Sequence, residues 1–110
     1  MENSVHKYNI DVVEVRKYIE EFNPIILDVR TKDEYNVGHL ENAILMDFYE
    51  TDFLKQIEEL DKTKHYLVYC RSARRSNSAV KIMKENGFLY PTNMLGGIVK
   101  WKKNCYLLVK

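Results

Sequence analysis

A cysteine next to a cluster of arginines is the feature of this sequence with the clearest chemistry. Cys70 directly follows the run 65–69, and Arg71, Arg74 and Arg75, three of the chain's five arginines, lie within the next five residues. Positive charge beside a thiol favours the thiolate, which is the nucleophilic form of cysteine. A helix-like pattern follows this turn, and the N-terminus of a helix attracts anions. The stretch therefore predicts a reactive thiolate and a binding site for an anionic ligand.

The position of Cys70 along the chain supports the same interpretation. The run 65–69 is predicted to be the central buried strand, and Cys70 lies where that strand ends. In parallel α/β sheets, ligands bind at the carboxyl ends of the strands. A lone cysteine is more often a small buried hydrophobe, and arginines can be no more than the solvated start of a helix. The combination of strand, cysteine, arginine-rich turn and helix favours a functional site over this structural alternative.

Length, composition and charge limit the classes of protein that fit. A chain of 110 residues predicts a single domain over 1–110. The formal net charge of +1 argues against a general nucleic-acid binder. No apolar run has the length of a membrane span, and the first residues lack the apolar core of a signal peptide. Two cysteines are too few for a disulfide scaffold. We therefore expect a cytoplasmic protein in which Cys70 is a free thiol, with no membrane or nucleic-acid partner.

Strands and helices are predicted to alternate along the chain. Asp11 is predicted to cap the first helix, Thr31 and Glu34 match a capping box, and Gly38 and Gly87 are predicted to end helices in the left-handed conformation. The predicted strands, each followed by a helix, are 7–10, 25–29, 43–46, 65–69 and 93–95. This alternation predicts an α/β fold of three layers, α/β/α, around a central parallel sheet of about five strands.

Three stretches of the sequence resemble the signatures of the rhodanese domain family, in its small single-domain form. They are Asp28-Val29-Arg30 with Glu34-Tyr35, Gly38-His39-Leu40 and Asn42-Ala43; Cys70 to Ser76, which resembles the active-site loop; and Gly96-Gly97-Ile98 with Trp101. The three stretches occur in the family's order and with fitting spacings. The resemblance implies a five-stranded parallel sheet between helices, in agreement with the alternation of elements above.

Sulfur transfer is the chemistry that this resemblance implies. Cys70 would take a sulfane sulfur from a small anionic donor such as thiosulfate and become a persulfide, then pass the sulfur to cyanide, a thiol or a protein acceptor. The backbone amides of the loop would cradle the persulfide, and its arginine side chains would attract the donor. The substrate-binding residues implied in this way are Arg71, Ser72, Ala73, Arg74 and Arg75. The persulfide on Cys70 is the intermediate, and no metal or organic cofactor is implied.

Three further residues are expected to support the site without reacting. Asp28 interrupts a buried strand, so its carboxylate needs a partner, and a loop arginine or His39 is expected to supply one. Arg30 belongs to the same motif as Asp28. His39 is expected to be buried and hydrogen-bonded rather than to act as a base. Cys105 is expected to pack at the chain terminus, and the histidines and cysteines show no metal-ligand spacing.

One loop position departs from the family pattern. Glycine often stands where this chain has Ala73, and alanine at positive φ costs about 1 kcal/mol or more. The loop therefore either uses an allowed conformation at Ala73 or carries slight strain.

Two other functions compete with independent sulfurtransfer. Phosphatases and arsenate reductases with a related fold use an arginine five residues after the cysteine, where this chain has Ser76, because Arg75 lies only four residues after Cys70. Serine lacks the bidentate grip of a guanidinium group, so the shorter loop favours sulfur over phosphate. The second alternative is a sulfur-relay or regulatory module with little turnover of its own, which would use the same cysteine.

Overall fold

A parallel sheet of five strands forms the centre of the computed structural model, which describes residues 5–110. The strands are β1 (Asn9–Ile10), β2 (Ile25–Asp28), β3 (Ile44–Leu45), β4 (His65–Tyr69) and β5 (Tyr90–Met94). Their order across the sheet is β1-β5-β4-β2-β3, and all four pairings are parallel. The helices are α1 (Val12–Phe22), α2 (Lys32–Val37), α3 (Phe53–Glu58), α4 (Arg74–Glu85) and α5 (Gly97–Lys103). The predicted α/β fold is confirmed.

Two apolar clusters cover the two faces of the sheet. On one face, Tyr66 and Val68 of β4 pack in a cluster with side chains of α3 and α4. On the other face, Leu67 and Tyr69 pack in a cluster with side chains of α1 and α5. Alternate residues of β4 are therefore buried on opposite faces, which explains why the strand is apolar without interruption. Cys70 continues this alternation and lies on the α4 face.

Local sequence signals explain most helix ends. The Asp11 side chain accepts a hydrogen bond from the Glu14 amide, and Thr31 and Glu34 form the predicted capping box. Gly87 has the predicted left-handed conformation with a φ of 87°. Helix α2 ends at Gly38 as predicted, but the predicted left-handed conformation is wrong, because the φ of 164° is extended backbone. Its position is set instead by the chain that follows, since His39 pairs with Val109.

The last strand differs from its prediction because of a proline. The prediction placed a strand at 93–95, whereas β5 begins at Tyr90 and includes Pro91. The amides of Asn93 and Leu95 donate to carbonyls of the segment that contains β1. Alternate residues of a strand direct their amides to the same side, so an amide at position 91 would also point toward this segment. Strand β1 itself pairs only with residues Asn93 and Met94. Proline is tolerated because no ladder hydrogen bond is needed at its position.

The C-terminal segment packs back against α5 and against His39. Trp101 is buried, and its indole N–H donates to the Leu107 carbonyl over 3.0 Å. The expectation that Cys105 packs at the terminus is wrong, because this residue is exposed. None of the helices in residues 5–110 has the length and apolarity that crossing a bilayer requires.

Candidate active site

The thiol of Cys70 lies between the end of β4 and the start of α4. The loop 71–73 joins the two elements, and only 1% of Cys70 is exposed. The Ser76 backbone N–H, in the first turn of α4, donates to Cys70 Sγ over 3.3 Å, and the Ser76 hydroxyl lies 3.4 Å from the same sulfur. The chain thus brings the thiol, the loop and the N-terminus of α4 together, as the sequence predicted.

Hydrogen bonds to the sulfur favour the thiolate. Burial raises the pKa of the Cys70 thiol, but hydrogen bonds from Ser76 and from the amides of Ser72 and Ala73 together outweigh it, so the pKa lies below its ordinary value. These groups converge on one sulfur atom from the loop and from the helix. A ring of donors of this kind also stabilises negative charge on an atom bonded to that sulfur.

Helix α5 holds the outer side of the same loop. The Ile98 amide donates to the Cys70 carbonyl over 2.9 Å, and the Val99 amide donates to the Arg71 carbonyl over 3.1 Å. Gly97 packs so closely that an added Cβ would lie 2.3 Å from the Arg71 carbonyl oxygen. Because these two carbonyls are bound to α5, the loop is fixed with its amides free to face the sulfur.

The three arginines of the loop have different roles in the structure. Arg71 and Arg74 are exposed. The Arg75 guanidinium group instead binds both carboxylate oxygens of Glu34, over 2.8 and 3.0 Å, and lies 5.5 Å from the Tyr49 ring. Sequence reasoning found Glu34 as a helix cap but missed this second contact. The Arg75 side chain is therefore held by α2, while Arg71 and Arg74 can approach an anion.

Asp28 has a different partner from the one predicted. Arg30, two residues further on, donates to both carboxylate oxygens over 2.7 to 3.1 Å and also to the Gly38 carbonyl. The Tyr69 hydroxyl donates to Asp28 over 2.6 Å and accepts from the Leu40 amide. Burial, together with the Asp28 carboxylate, raises the pKa of Tyr69 far above its ordinary range. This buried network fixes the ends of β2 and β4 immediately before the loop.

His39 lies between Gly38 and Leu40, whose backbones bind to this network. Its ring stacks on Tyr35 with centroids 3.7 Å apart, and Nδ1 lies 3.0 Å from the Tyr35 carbonyl. It is buried and hydrogen-bonded, as expected, but it is not the partner of Asp28. The prediction that a loop arginine or His39 pairs with Asp28 is wrong, because Arg30 is close enough in the chain to fold back onto it.

A second polar chain, missed by sequence reasoning, leads away from the thiol. The Ser76 hydroxyl donates to Asn93 Oδ1 over 2.6 Å, and Asn93 Nδ2 donates to Asn9 Oδ1 over 3.1 Å. Ser76 and Asn93 are both buried. Asn93 is placed near the thiol by the sheet register, because it pairs with Val68, which precedes Cys70 by two residues. This register depends on the packing of β4 against β5.

Of the two possibilities expected at Ala73, an allowed conformation or slight strain, the structure has the strained one. Its φ of 85° is left-handed, which costs a non-glycine residue about 1–2 kcal/mol. We predict that Ala73→Gly raises the free energy of unfolding by roughly 0.5–1 kcal/mol, because the relief of strain exceeds the added entropy of the unfolded chain. Urea titration measures the change. A loss of stability would show that the Ala73 methyl group contributes more than the strain costs.

The ion pair between Glu34 and Arg75 gives stability a defined pH dependence. Hydrogen bonds from Arg75 hold the pKa of Glu34 at about 2, below its ordinary 4.5. The stabilisation is therefore complete above about pH 4.5 and disappears as the pH falls toward 2. We predict that the free energy of unfolding of wild type exceeds that of Glu34→Gln by about 1–2 kcal/mol near neutral pH. The difference is modest because the Glu34 side chain is 28% exposed.

Denaturant titrations of both proteins at several pH values test this dependence. The difference in the free energy of unfolding should shrink steadily between about pH 5 and about pH 2. Glu14→Gln is the control, since Glu14 forms an exposed pair with Lys7 and should change stability by about 0.5 kcal/mol or less at every pH. A difference for Glu34 that does not vary with pH would contradict the prediction.

A cavity of about 580 Å³ lies far from this site. Its lining includes His6, Phe22, His65 and Tyr90. His65 and Tyr90 are the first residues of β4 and β5, so the cavity is at the amino ends of the strands. Its lining contains no cysteine, and Cys70 lies at the opposite end of the sheet.

Comparison with known proteins decides the family. The family model described as the rhodanese-like domain matches residues 11–104, which include all five helices and the Cys70 loop. The chain belongs to the rhodanese-like domain family. The resemblance of the three sequence motifs is thus confirmed.

Curated relatives of this rhodanese-like domain are longer proteins. An adenylyltransferase and sulfurtransferase, uba4, of Ogataea parapolymorpha is 30% identical over 102 residues, with 87% of this chain and 25% of that protein covered. A tRNA uridine(34) hydroxylase of Cytophaga hutchinsonii is 36% identical over 80 residues, with 70% and 26% covered. The chain thus spans about a quarter of the length of these relatives.

Solved structures show the same fold. A rhodanese-related protein of Thermoplasma volcanium has a TM-score of 0.81 and 26% identity, with 96% of this chain and 98% of that chain covered. A rhodanese-like domain protein of Staphylococcus aureus has a TM-score of 0.74 and 28% identity, with 84% and 89% covered. The rhodanese-like architecture extends over nearly the whole chain.

Proposed function

We propose that this rhodanese-like domain is a sulfurtransferase that carries a sulfane sulfur as a persulfide on Cys70. The observation that carries the proposal is the Ser76 N–H, in the first turn of α4, which donates to a buried cysteine sulfur whose pKa the amides of Ser72 and Ala73 also lower. The hydrogen bonds favour the thiolate, and a thiolate is the form that attacks sulfur.

The first half of the reaction loads the cysteine. The Cys70 thiolate attacks the sulfane sulfur of a small anionic donor such as thiosulfate. A new bond forms between the two sulfurs, the sulfur–sulfur bond of thiosulfate breaks, and sulfite leaves with the bonding electron pair. The exposed Arg71 and Arg74 would attract the donor dianion. The amides around Cys70 would then stabilise the negative outer sulfur of the persulfide.

The second half of the reaction transfers the sulfur from the Cys70 persulfide to an acceptor. Cyanide or an acceptor thiolate attacks the outer sulfur, the bond to Cys70 Sγ breaks, and Cys70 leaves as a thiolate. A lowered thiol pKa makes Cys70 a better leaving group as well as a persistent thiolate. Both halves balance without a metal, an organic cofactor or an outside oxidant. We place the protein in the cytoplasm, where acceptor thiols are kept reduced.

The loop geometry argues against phosphate chemistry. A phosphatase loop needs a free guanidinium group to bind two phosphate oxygens. Arg75, the nearest arginine in sequence to that position, is bound to Glu34 on both nitrogens. A sulfur-relay module would use the same persulfide, and the size of the curated relatives, in which a domain of this kind is only one part, is compatible with that role.

Thiocyanate formation from thiosulfate and cyanide tests the proposed activity. Wild type should turn over, and Cys70→Ser should fall to the uncatalysed rate because a serine hydroxyl cannot carry the sulfane sulfur. Cys105→Ser is the matched control, since Cys105 is exposed and outside the loop, and it should keep full activity. Turnover that survives in Cys70→Ser, or that disappears in Cys105→Ser, would overturn the assignment of Cys70.

A further inference from the structure

The net charge of +1 conceals a strong separation of charge along the chain. Residues 1–61 contain 15 of the 16 acidic residues and only 6 of the 17 Lys and Arg residues. Residues 62–110 contain the other 11 basic residues, and Glu85 is their only acid. The basic part comprises β4, the Cys70 loop, α4, β5 and α5. The cysteine therefore belongs to the part of the chain with a large excess of positive charge.

The fold brings basic residues of this part to the mouth of the loop. Helix α4 begins at Arg74, and the first turn of α5 is bound to the loop through the Val99 amide and the Arg71 carbonyl. Lys100 follows Val99 directly, and its Cβ packs beside Gly96. Arg71, Arg74 and Lys100 are exposed. In the described part of the chain, 5–110, none of the three forms an ion pair.

Two apolar side chains lie among these cations. Leu95 is 43% exposed and Val99 is 44% exposed. Leu95 immediately precedes the two glycines that carry the chain into α5, and Val99 touches the loop through its backbone. We name Arg71, Arg74, Lys100, Leu95 and Val99 the basic rim. Protein interfaces are enriched in arginine and have an apolar centre, and the rim combines two arginines with two exposed aliphatic side chains.

We propose that the sulfur acceptor is a thiol on an acidic polypeptide segment, which docks on the basic rim. The proposal rests on the proposed function and names its acceptor class. Carboxylates of the segment would pair with Arg71, Arg74 and Lys100, and an apolar side chain would cover Leu95 and Val99. A small inorganic anion could pair with the cations but could not bury the aliphatic side chains. A polypeptide therefore fits the whole rim better.

The aliphatic character of the rim also favours a polypeptide over RNA. Proteins that bind single strands stack bases on aromatic rings among the cations. Both apolar members of the rim are aliphatic, and Tyr49, the aromatic residue beside the loop, has Arg75 lying over its ring. Preferential binding of RNA to the rim would therefore contradict the proposal.

The transfer itself needs no further reactant. The acceptor thiolate attacks the outer sulfur of the Cys70 persulfide and forms a new sulfur–sulfur bond. The bond between that sulfur and Cys70 Sγ breaks, Cys70 is released as a thiolate, and the acceptor becomes a persulfide. Docking on the rim would raise the local concentration of the acceptor thiolate, which acts on the rate of encounter.

Acceptor peptides of opposite charge test the proposal. The protein is loaded with thiosulfate, freed of donor, and mixed with a peptide whose single cysteine is flanked by glutamates, or by lysines, or with glutathione. We expect the glutamate peptide to discharge the persulfide at least about 10-fold faster than the lysine peptide at low salt. The ratio should fall to within about twofold at roughly 1 M salt, where the screening length is short.

Charge reversal locates the effect on the rim. Lys100→Glu should reduce the preference for the glutamate peptide about threefold or more at low salt. Lys64→Glu is the matched control, because Lys64 is exposed and precedes β4 at the other end of the sheet, and it should leave the preference within about twofold of wild type. Equal loss of preference in both variants would overturn the proposal, because the effect would then come from net charge alone.

The remaining outcomes separate this inference from the proposed function. A persulfide that glutathione discharges but that shows no preference between the two peptides would overturn the acidic acceptor and leave sulfur transfer standing. Failure to form any persulfide would overturn both. If polyuridylate inhibits discharge by the glutamate peptide more strongly than polyglutamate does, the rim favours RNA and the proposal is wrong.

Discussion

Gly97→Ala is expected to abolish sulfur transfer and to lower the free energy of unfolding by about 3 kcal/mol or more. The new Cβ would lie 2.3 Å from the Arg71 carbonyl oxygen and 2.7 Å from that of Cys70, so backbone must move. Overpacking against backbone costs roughly 1–3 kcal/mol, and alanine at the φ of +59° costs about 1–2 kcal/mol more. The displaced atoms belong to the loop that holds the sulfur, so activity should fall together with stability.

Gly87→Ala separates the effect of a left-handed φ from the effect of steric overlap with the backbone. Gly87 also has a left-handed φ, +87°, but its added Cβ would meet only Lys62 Cδ, at 4.0 Å. This variant should lose about 1–2 kcal/mol and keep its activity, because it has strain without overlap and is remote from Cys70. Urea titration and thiocyanate formation measure both effects. Equal losses of stability in the two variants, or full activity in Gly97→Ala, would contradict the role of Gly97 in holding the loop.

Asp28→Asn is expected to be the second severe change, with a loss of about 3–5 kcal/mol in the free energy of unfolding. The carboxylate is fully buried and receives hydrogen bonds from Arg30 and from the Tyr69 hydroxyl. Replacing it with a neutral amide leaves the buried guanidinium group without its counter-charge, which is the costly way to break a buried pair. Thermal or denaturant unfolding measures the loss.

Tyr69→Phe provides the comparison within the same network. This variant removes the hydroxyl but leaves the Asp28–Arg30 pair intact, so it should lose only about 1–3 kcal/mol. A loss in Asp28→Asn no greater than in Tyr69→Phe would show that the buried charge is compensated by something other than Asp28. Residual activity per folded molecule should be high in both, because neither residue contacts the thiol.

The parts of the fold that the sequence predicted are those determined by local pattern. The continuous apolar character of β4 and the alternation of strands with helices were sufficient for a parallel sheet with both faces covered. Thr31 and Glu34 cap α2 within one turn, so their spacing in the sequence was sufficient to predict the capping box. The position of Cys70 at the end of β4 was predicted correctly, because the apolar run 65–69 ends directly before it.

The missed features depend on contacts between distant parts of the chain. Arg75 binds Glu34 across 41 residues, and Ser76 binds Asn93 across 17 residues. The partner of Asp28 is only two residues away, yet several cations could have reached it, and sequence alone did not distinguish among them. Side-chain partners of this kind depend on how the strands and helices pack, which composition and periodicity do not specify.

Intact mass spectrometry after incubation with thiosulfate is the most direct test of the central claim. We predict that wild type and Cys105→Ser each gain the mass of one sulfur atom, that cyanide removes it, and that Cys70→Ala gains nothing. A cysteine held by the Ser76 amide and the neighbouring loop amides is the basis for this expectation. If wild type acquires no sulfur from thiosulfate or from any other sulfane donor, or if the adduct persists in Cys70→Ala, the assignment of sulfur transfer to Cys70 is wrong.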